Sequence, residues 1–260
     1  MAKSKIIKEI VNNEIDVTQA LDRLYLISYS LSDNDVCSWI KNEKEGYKSD
    51  VAPSYRKTVI VPIGTYQIIS AGKIETYTNA ALPTSGIPEE SKKQFDNWVV
   101  RDSIISLIKQ KEMADKGEIS GIPLDPVYFG WFQNHTNILM RKAFLHISPL
   151  NIETILSSIK TKIIDLLLLY EDNFGVLDNL DIDISNYSNN QVKEIHESTK
   201  SIIDGTFNGK TKIIIKNSNI GEKNTIDKKT DISTDVNVTI NKKERKGLFS
   251  VISRLFKRKR

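Results

Sequence analysis

The sequence predicts an α+β protein: a mainly helical body with a small antiparallel sheet, followed by a short β-prone segment and a C-terminal amphipathic helix. Apolar residues recur at helical spacing in two stretches, 16–31 and 150–173. Between them, residues 57–81 contain β-branched runs separated by proline and glycine, which is typical of short strands joined by turns. Residues 241–260 combine large apolar side chains with clustered basic ones.

The N-terminal part of the chain predicts three helices. The first covers about 3–12. The second begins after Asp16, which has the spacing of a capping box with Gln19. The third ends at Gly46, because glycine readily adopts the backbone conformation that ends a helix.

The middle of the chain predicts further helices around one strand. We expect a continuous helix over about 89–115, a mixed connection over 117–136 and a strand over 137–148. The helix at 150–173 has an apolar stripe too wide for a surface helix, so we expect it at the centre of the core. The expected buried side of helix 89–115 consists of Phe95, Trp98, Val99, Ser103, Ile105 and Ile108.

Changes in composition divide the chain into four parts. Residues 1–175 form the α+β body, and 176–209 are a polar linker with a short helix. Residues 210–240 are β-prone and rich in asparagine, and 241–260 are a basic tail. Two short strands alone are only marginally stable, so 210–240 either pairs with copies in other subunits or forms a linker.

The net charge is divided unevenly between the body and the tail. The whole chain carries +4, from 37 basic and 33 acidic side chains. Nine lysines and arginines and one glutamate in 241–260 give the tail +8, which leaves −4 for residues 1–240. The pI near 8.9 therefore describes neither part.

Several classes of protein are excluded by composition. No apolar run approaches the ~18 residues that span a bilayer, and the N-terminus lacks the apolar stretch of a secretion signal. The single cysteine, Cys37, cannot form an internal disulfide, and with three scattered histidines it does not make a zinc site. We expect a cytoplasmic protein without metal or cofactor, which the tail could hold at the inner face of the membrane.

One segment imitates a phosphate-binding loop. Residues 204–211 end in Gly-Lys-Thr, but Asp204 stands where the first glycine should be and would repel a phosphate. A β-branched run follows, where the phosphate loop requires a helix N-terminus. We interpret the segment as a turn into a strand and reject nucleotide hydrolysis.

The histidines and the cysteine offer little catalytic chemistry. His135, His146 and His196 lack metal-ligand spacing, and no sequence motif supplies a partner for general acid–base catalysis. We expect His146 to pack within a strand and His196 to be solvated on a helix. Cys37 precedes Trp39 on an apolar helix face and is expected to be buried.

The sequence of the tail, 241–260, predicts an amphipathic helix whose apolar face is flanked by basic side chains. Short helices of this kind lie flat on anionic bilayers. The same charges could neutralise the phosphates of a nucleic acid, and the apolar face could instead dock on the body or on another subunit. The expected contact residues are Phe249, Ile252, Arg254, Leu255, Phe256, Lys257, Arg258, Lys259 and Arg260.

Three segments of the body together contain a set of aromatic, acidic and basic residues in a characteristic order. They are 20–28 (Ala-Leu-Asp-Arg-Leu-Tyr-Leu-Ile-Ser), then Trp39, Glu43, Gly46 and Tyr47, and finally Pro53-Ser54-Tyr55-Arg56. In order and spacing they resemble the opening of the AbiTii-like domain of bacterial abortive-infection proteins.

Later segments extend the resemblance. Residues 152–168 are similar to the family's later apolar helix, with Lys160 in place of its usual arginine, and 203–221 resembles the β-region that often follows. The resemblance covers 1–175 closely and 200–226 loosely. It implies a role in defence against phage, in which infection triggers arrest or death of the host cell, and it supplies no catalytic set.

The residues that match the family motif have two interpretations. They could form a site in an open cleft. Alternatively they pack the body, with Trp39 in the core, Tyr47 following the helix end at Gly46, and Arg56 paired with an acidic neighbour such as Glu43.

Three functional hypotheses follow for the whole chain. The first is a non-enzymatic effector that oligomerises through 210–240 and gathers its tails on the membrane surface. The second is a nucleic-acid-binding or nuclease toxin anchored by the tail. The third is a regulatory partner of a second defence protein.

Overall fold

The three N-terminal helices begin and end close to the positions expected from the sequence. A computed structural model describes residues 3–48, 52–133, 136–185 and 187–207. The capping box is confirmed: the Asp16 carboxylate accepts from the Gln19 backbone N–H at 2.8 Å, and the Gln19 side chain accepts from the Asp16 N–H at 3.1 Å. The helices are α1 (Lys5–Val11), α2 (Val17–Ser30) and α3 (Asn34–Glu45).

An antiparallel sheet follows, as expected from the β-branched runs. Within the described ranges, one sheet has four strands in the order β3-β2-β6-β5, and β1 and β4 form a separate two-stranded ladder. The mainly helical α+β body with a small antiparallel sheet is therefore confirmed. The elements are β1 (Lys57–Thr58), β2 (Ile60–Ser70), β3 (Lys73–Ala81), α4 (Glu89–Asp96), β4 (Trp98–Val99), α5 (Ile104–Asp115), β5 (Ile122–Pro123), α6 (Gly130–Gln133) and β6 (Ile138–Ile147).

The prediction of one continuous helix over 89–115 is wrong. The chain is extended between α4 and α5, because Trp98 and Val99 form the strand that pairs with β1. A new helix starts where the Ser103 hydroxyl accepts from the Ser106 N–H at 3.2 Å. This restart changes the buried face: Ile104 is buried, whereas Ile105, expected inside, is 46% exposed.

The longest helix, α7 (Pro149–Phe174), occupies the centre of the helical layer, as predicted. It packs against α1, α2, α5 and α8 (Asn189–Asp204). Its buried side chains are Ile152, Ile155, Ile159, Ile163, Leu166, Leu167, Leu169 and Tyr170.

The segment expected as a polar linker contains the 16-residue helix α8, which packs on α3 and α7. Ile195, Ile202 and Ile203 are buried on its inner side. The expectation of a solvated His196 is wrong, because its Nε2 lies 3.2 Å from the Leu31 carbonyl oxygen and the ring is partly buried.

The described residues belong to one compact unit, Met1–Lys216. The β-prone segment 210–240, the tail 241–260 and His135 lie outside the described residues. Within the ranges that the structure covers, no helix combines the length and hydrophobicity needed to cross a bilayer.

Candidate functional site

The residues that match the family motif are brought together by α3 and a single 3-10 turn. Trp39 and Glu43 lie four residues apart and therefore share one face of α3. Tyr47 follows the end of this helix, and the turn Ser54–Arg56 supplies the remaining aromatic and basic side chains.

Gly46 is required where α3 ends. Its φ of 91° is one that side chains rarely adopt, and a Cβ there would lie 2.8 Å from the Arg101 carbonyl oxygen. The same carbonyl accepts from the Tyr47 N–H at 2.9 Å. This close backbone contact fixes the direction in which Tyr47 enters the core.

Glu43 is the centre of the network and is completely buried. Its Oε1 accepts from the Tyr47 hydroxyl at 2.6 Å and from the Tyr55 hydroxyl at 2.5 Å. Its Oε2 accepts from the guanidinium of Arg56. The ion pair that the packing interpretation expects is therefore present, and both carboxylate oxygens are occupied.

Arg56 is also completely buried and ties the turn to the segment before α5. Its Nη1 donates to the Asp102 carbonyl oxygen at 2.7 Å, and its own carbonyl accepts from the Val100 N–H at 2.8 Å. The guanidinium carbon lies 5.2 Å from the centroid of the Tyr47 ring, which is a cation–π distance. Its Nε is buried without an acceptor in the described part of the chain.

The two tyrosines act as hydrogen-bond donors rather than as bases. Burial, and then the charge of Glu43, raise the pKa of both Tyr47 and Tyr55 well above the usual range. Both phenols therefore keep their protons at neutral pH. The Tyr55 oxygen additionally accepts from the Trp39 indole N–H at 2.8 Å. The network therefore stabilises the packing of the core. Both oxygens of Glu43 already accept hydrogen bonds and are not available to a substrate.

A cleft lined by both polar and apolar side chains lies on the outer side of Tyr55, along the exposed face of α7. We name it the α7 cleft. Its volume is about 640 Å³, and it is open to solvent on one side. Its lining residues are Ser54, Tyr55, Leu150, Glu153, Thr154, Ser157, Ser158, Thr161, Lys162, Asp165, Ile202, Gly205 and Phe207.

Lys162 connects the buried network to the α7 cleft. Its Nζ donates to the Ile202 carbonyl oxygen at 2.5 Å and lies 5.2 Å from the centroid of the Tyr55 ring. Partial burial lowers the pKa of Lys162, while the charges of Asp165 and Asp204 oppose that shift. Lys162 therefore fastens the last turn of α8 to α7, above the ring whose hydroxyl reaches Glu43.

A second buried carboxylate, Asp33, was missed by the sequence analysis. Its Oδ1 caps α3 by accepting from the Val36 N–H at 3.2 Å. Its Oδ2 accepts from the hydroxyls of Tyr170 at 3.0 Å and Thr199 at 2.7 Å. Burial, followed by the charge of Asp33, raises the pKa of Tyr170. Asp33 thus joins α3, α7 and α8, and its hydrogen-bond donors in the described part of the chain are all uncharged.

The other candidate residues take structural positions. Cys37 is buried as expected, and burial raises the pKa of its thiol, which disfavours a nucleophilic thiolate. His146 Nδ1 lies 2.8 Å from the Ser120 carbonyl oxygen, within β6. Among the described residues, no group of three or more His, Cys, Asp or Glu could hold a metal ion.

Comparison with known protein families identifies the body. The family model for AbiTii matches residues 4–197, which include the Glu43 network, the α7 cleft up to Asp165, and most of α8. The chain belongs to the AbiTii family. It therefore belongs to the abortive-infection proteins of phage defence. No curated protein and no solved structure matches the chain. The family match extends beyond residue 175 and ends at residue 197, within α8.

Proposed function

We propose that this AbiTii protein is a non-enzymatic effector of abortive infection. The described body acts as a scaffold, and the basic tail 241–260 acts on the inner surface of the cell membrane. The observation that carries this proposal is the charge division of the sequence: the tail has +8 and residues 1–240 have −4.

The organisation of the body supports a scaffold. The charged residues of the family motif are directed inward, where Glu43 and Arg56 neutralise each other and hold α3 against the turn Ser54–Arg56. Such an arrangement stabilises a shape and leaves neither charge available at the surface.

The composition of the tail supports contact with a membrane. Each basic residue near an anionic surface contributes about 1 kcal/mol, and burial of Phe249 and Phe256 adds to this. The negative charge of the body disfavours its own approach to the same surface, so the tail is the part that makes contact.

Oligomerisation through 210–240 would strengthen this contact. A single short tail binds weakly, whereas several tails tethered in one assembly bind with a high effective concentration. A threshold number of assembled subunits would then separate the silent state from the one that arrests growth.

The experiment is co-sedimentation with vesicles of phosphatidylglycerol and phosphatidylcholine. Full-length protein and the 1–240 truncation are compared, with pure phosphatidylcholine vesicles as the control. We expect full-length protein to sediment with anionic vesicles only, and the truncation to remain in the supernatant. Equal sedimentation of the two proteins would contradict the proposal.

A double substitution in the tail separates binding to a membrane from binding to a nucleic acid. Replacing Phe249 and Phe256 by alanine should weaken vesicle binding more than tenfold, because it removes the buried apolar surface. If the variant binds anionic vesicles as tightly as the wild type does and also binds DNA or RNA with a strong salt dependence, the basic charges act without the apolar face and the membrane proposal is wrong.

A growth assay connects the tail to toxicity. We expect expression of the full-length protein to arrest growth and expression of 1–240 to be tolerated at equal protein levels. Arrest by the truncated protein would place the effector in the body instead.

A further inference from the structure

The α7 cleft lies where the described chain ends. Helix α8 stops at Asp204, and Gly205 adopts a left-handed conformation with a φ of 75°. The turn is closed by the Thr206 N–H, which donates to the Ser201 carbonyl oxygen at 3.0 Å. Phe207 then lines the cleft and packs against the core, so the chain enters the cleft as it leaves α8.

The open rim of the cleft is acidic. Glu153 and Asp165 are exposed on the cleft face of α7, and neither takes part in an ion pair among the described residues. Lys162 lies between them, but its ammonium is already engaged with the Ile202 carbonyl and the Tyr55 ring. The rim therefore offers two carboxylates to a cationic ligand.

The residues that follow Phe207 complement this rim. Residues 208–216 read Asn-Gly-Lys-Thr-Lys-Ile-Ile-Ile-Lys, with three lysines and no acidic residue. The cleft also contains one strongly exposed apolar side chain, Leu150, which is 71% exposed. It lies at the end of the cleft formed by the first turn of α7, farthest along the helix from Lys162.

The length of the cleft along α7 also agrees with the length of extended chain that follows Phe207. Along α7, Glu153 and Lys162 are nine residues apart, which is about 14 Å of helix. Five residues of extended chain span at most ~17 Å, so Lys212 can reach Glu153 from Phe207. Lys210, three residues after Phe207, remains within reach of Asp165.

We propose that residues 208–216 of this chain bind in the α7 cleft of the same molecule. Lys210 pairs with Asp165, Lys212 pairs with Glu153, and the isoleucines at 213–215 cover Leu150. The Gly-Lys-Thr sequence at 209–211 then serves carboxylates of the body rather than a phosphate. The bound segment fixes the start of the C-terminal region to the body, whether or not the tail binds a membrane.

A disulfide trap tests the proposal in the full-length chain. Thr154, exposed in the cleft, and Thr211 are replaced by cysteine, which leaves all the proposed ion pairs intact. The matched control joins Thr211→Cys with Glu112→Cys, which is exposed on α5 and does not line the cleft. Cys37 is buried and can remain.

We expect an intramolecular disulfide in the Thr154/Thr211 pair to form at least tenfold faster than in the control pair. Mass spectrometry of the monomer under non-reducing conditions measures it, and matching unfolding curves of the reduced variants establish that both are folded. Equal rates for the two pairs would overturn the proposal. A disulfide that forms only between two chains would also overturn it, because the occupant would then be a second copy.

Limited trypsin digestion provides a measurement without new cysteines. In the wild type, cleavage after Lys210 and Lys212 should be slow. Replacing both Glu153 and Asp165 by lysine should accelerate it several-fold, whereas Glu112→Lys should not. An unchanged rate in the double variant would contradict the assigned ion pairs. Neither experiment contains a membrane, so failure here is distinct from failure of the proposed function.

Discussion

The two ends of α3 bury a carboxylate in different ways. Glu43, near the C-terminal end, is neutralised by Arg56 and accepts two phenol hydrogen bonds. Asp33, at the N-terminal cap, accepts from one backbone N–H and from the hydroxyls of Tyr170 and Thr199. One charge is balanced by an opposite charge, and the other by neutral donors and a helix N-terminus.

The difference shows what each network holds together. The side chains that bond to Glu43 come from residues 47–56, so this network mainly closes a local segment of chain, and Arg56 also ties that segment to the Asp102 carbonyl oxygen before α5. The partners of Asp33 on α7 and α8 are more than 130 positions away, so it joins distant helices. Mutations at the two ends of α3 should therefore differ both in size and in the region that loosens.

The largest effect is expected for Arg56→Met. Removing the guanidinium leaves the Glu43 carboxylate buried without its counter-charge, which typically costs about 3–5 kcal/mol of unfolding free energy. Urea denaturation measures this, with Lys57→Met, at the exposed neighbouring position, as the control. A loss below about 1 kcal/mol would show that water enters the site and that the network does not depend on the pair.

The next effect is expected for Asp33→Ala. The substitution removes the cap of α3 and leaves the hydroxyls of Tyr170 and Thr199 without their acceptor, for a loss of about 2–3 kcal/mol. Hydrogen exchange should rise in α8 more than in the turn Ser54–Arg56. Asp35→Ala, exposed in the first turn of the same helix, is the control. Loosening confined to the turn would refute the division between the networks.

A smaller effect is expected for Tyr47→Phe. Glu43 keeps Arg56 and Tyr55 but loses one donor, and a hydrogen bond to a charged group contributes about 1.5 kcal/mol or somewhat more. Thermal unfolding measures the difference. If Tyr47→Phe were as damaging as Arg56→Met, the phenol rather than the guanidinium would be the main partner of Glu43.

The smallest effect concerns Glu171, a largely buried carboxylate near the N-terminus of the chain's first helix, and it depends on pH. Burial alone would raise the pKa of Glu171, but hydrogen bonds from Lys3 and Ser4 lower it below the usual 4.5. The resulting stability is present above the unfolded pKa and is lost as the pH falls through the lower folded value. We expect Glu171→Gln to cost about 1 kcal/mol at neutral pH and to approach the wild type in acid.

Unfolding curves over this pH range measure the effect of Glu171→Gln, and Asp172→Asn is the adjacent exposed control. A cost that does not depend on pH would show that Glu171 acts through packing rather than through its charge.

The sequence was sufficient to predict those elements that depend on residues close together in the chain. The capping box at Asp16, the end of α3 at Gly46 and the apolar stripe of α7 depend on residues within a few turns of each other. The pairing of Arg56 with Glu43 could be expected for the same reason, because only twelve residues separate them.

The failures occurred where distant contacts decide the structure. The break after α4 follows from pairing of Trp98 and Val99 with a strand some forty residues earlier. The Asp33 network requires α7 and α8 to meet at the cap of α3, which no local pattern encodes. The α7 cleft likewise exists only because the end of α8 lies beside Lys162.

The central claim is that the buried family residues support the fold and that toxicity resides elsewhere. Its most direct test is the double substitution Glu43→Gln with Arg56→Met, which removes both charges while the glutamine still accepts from the two phenols. Replacing a buried ion pair by groups of similar volume is often close to neutral for stability. We expect this variant to fold and to protect cells from phage as the wild type does. A folded, equally abundant variant that no longer protects would contradict the account, because the charge pair would then be part of the defence activity itself.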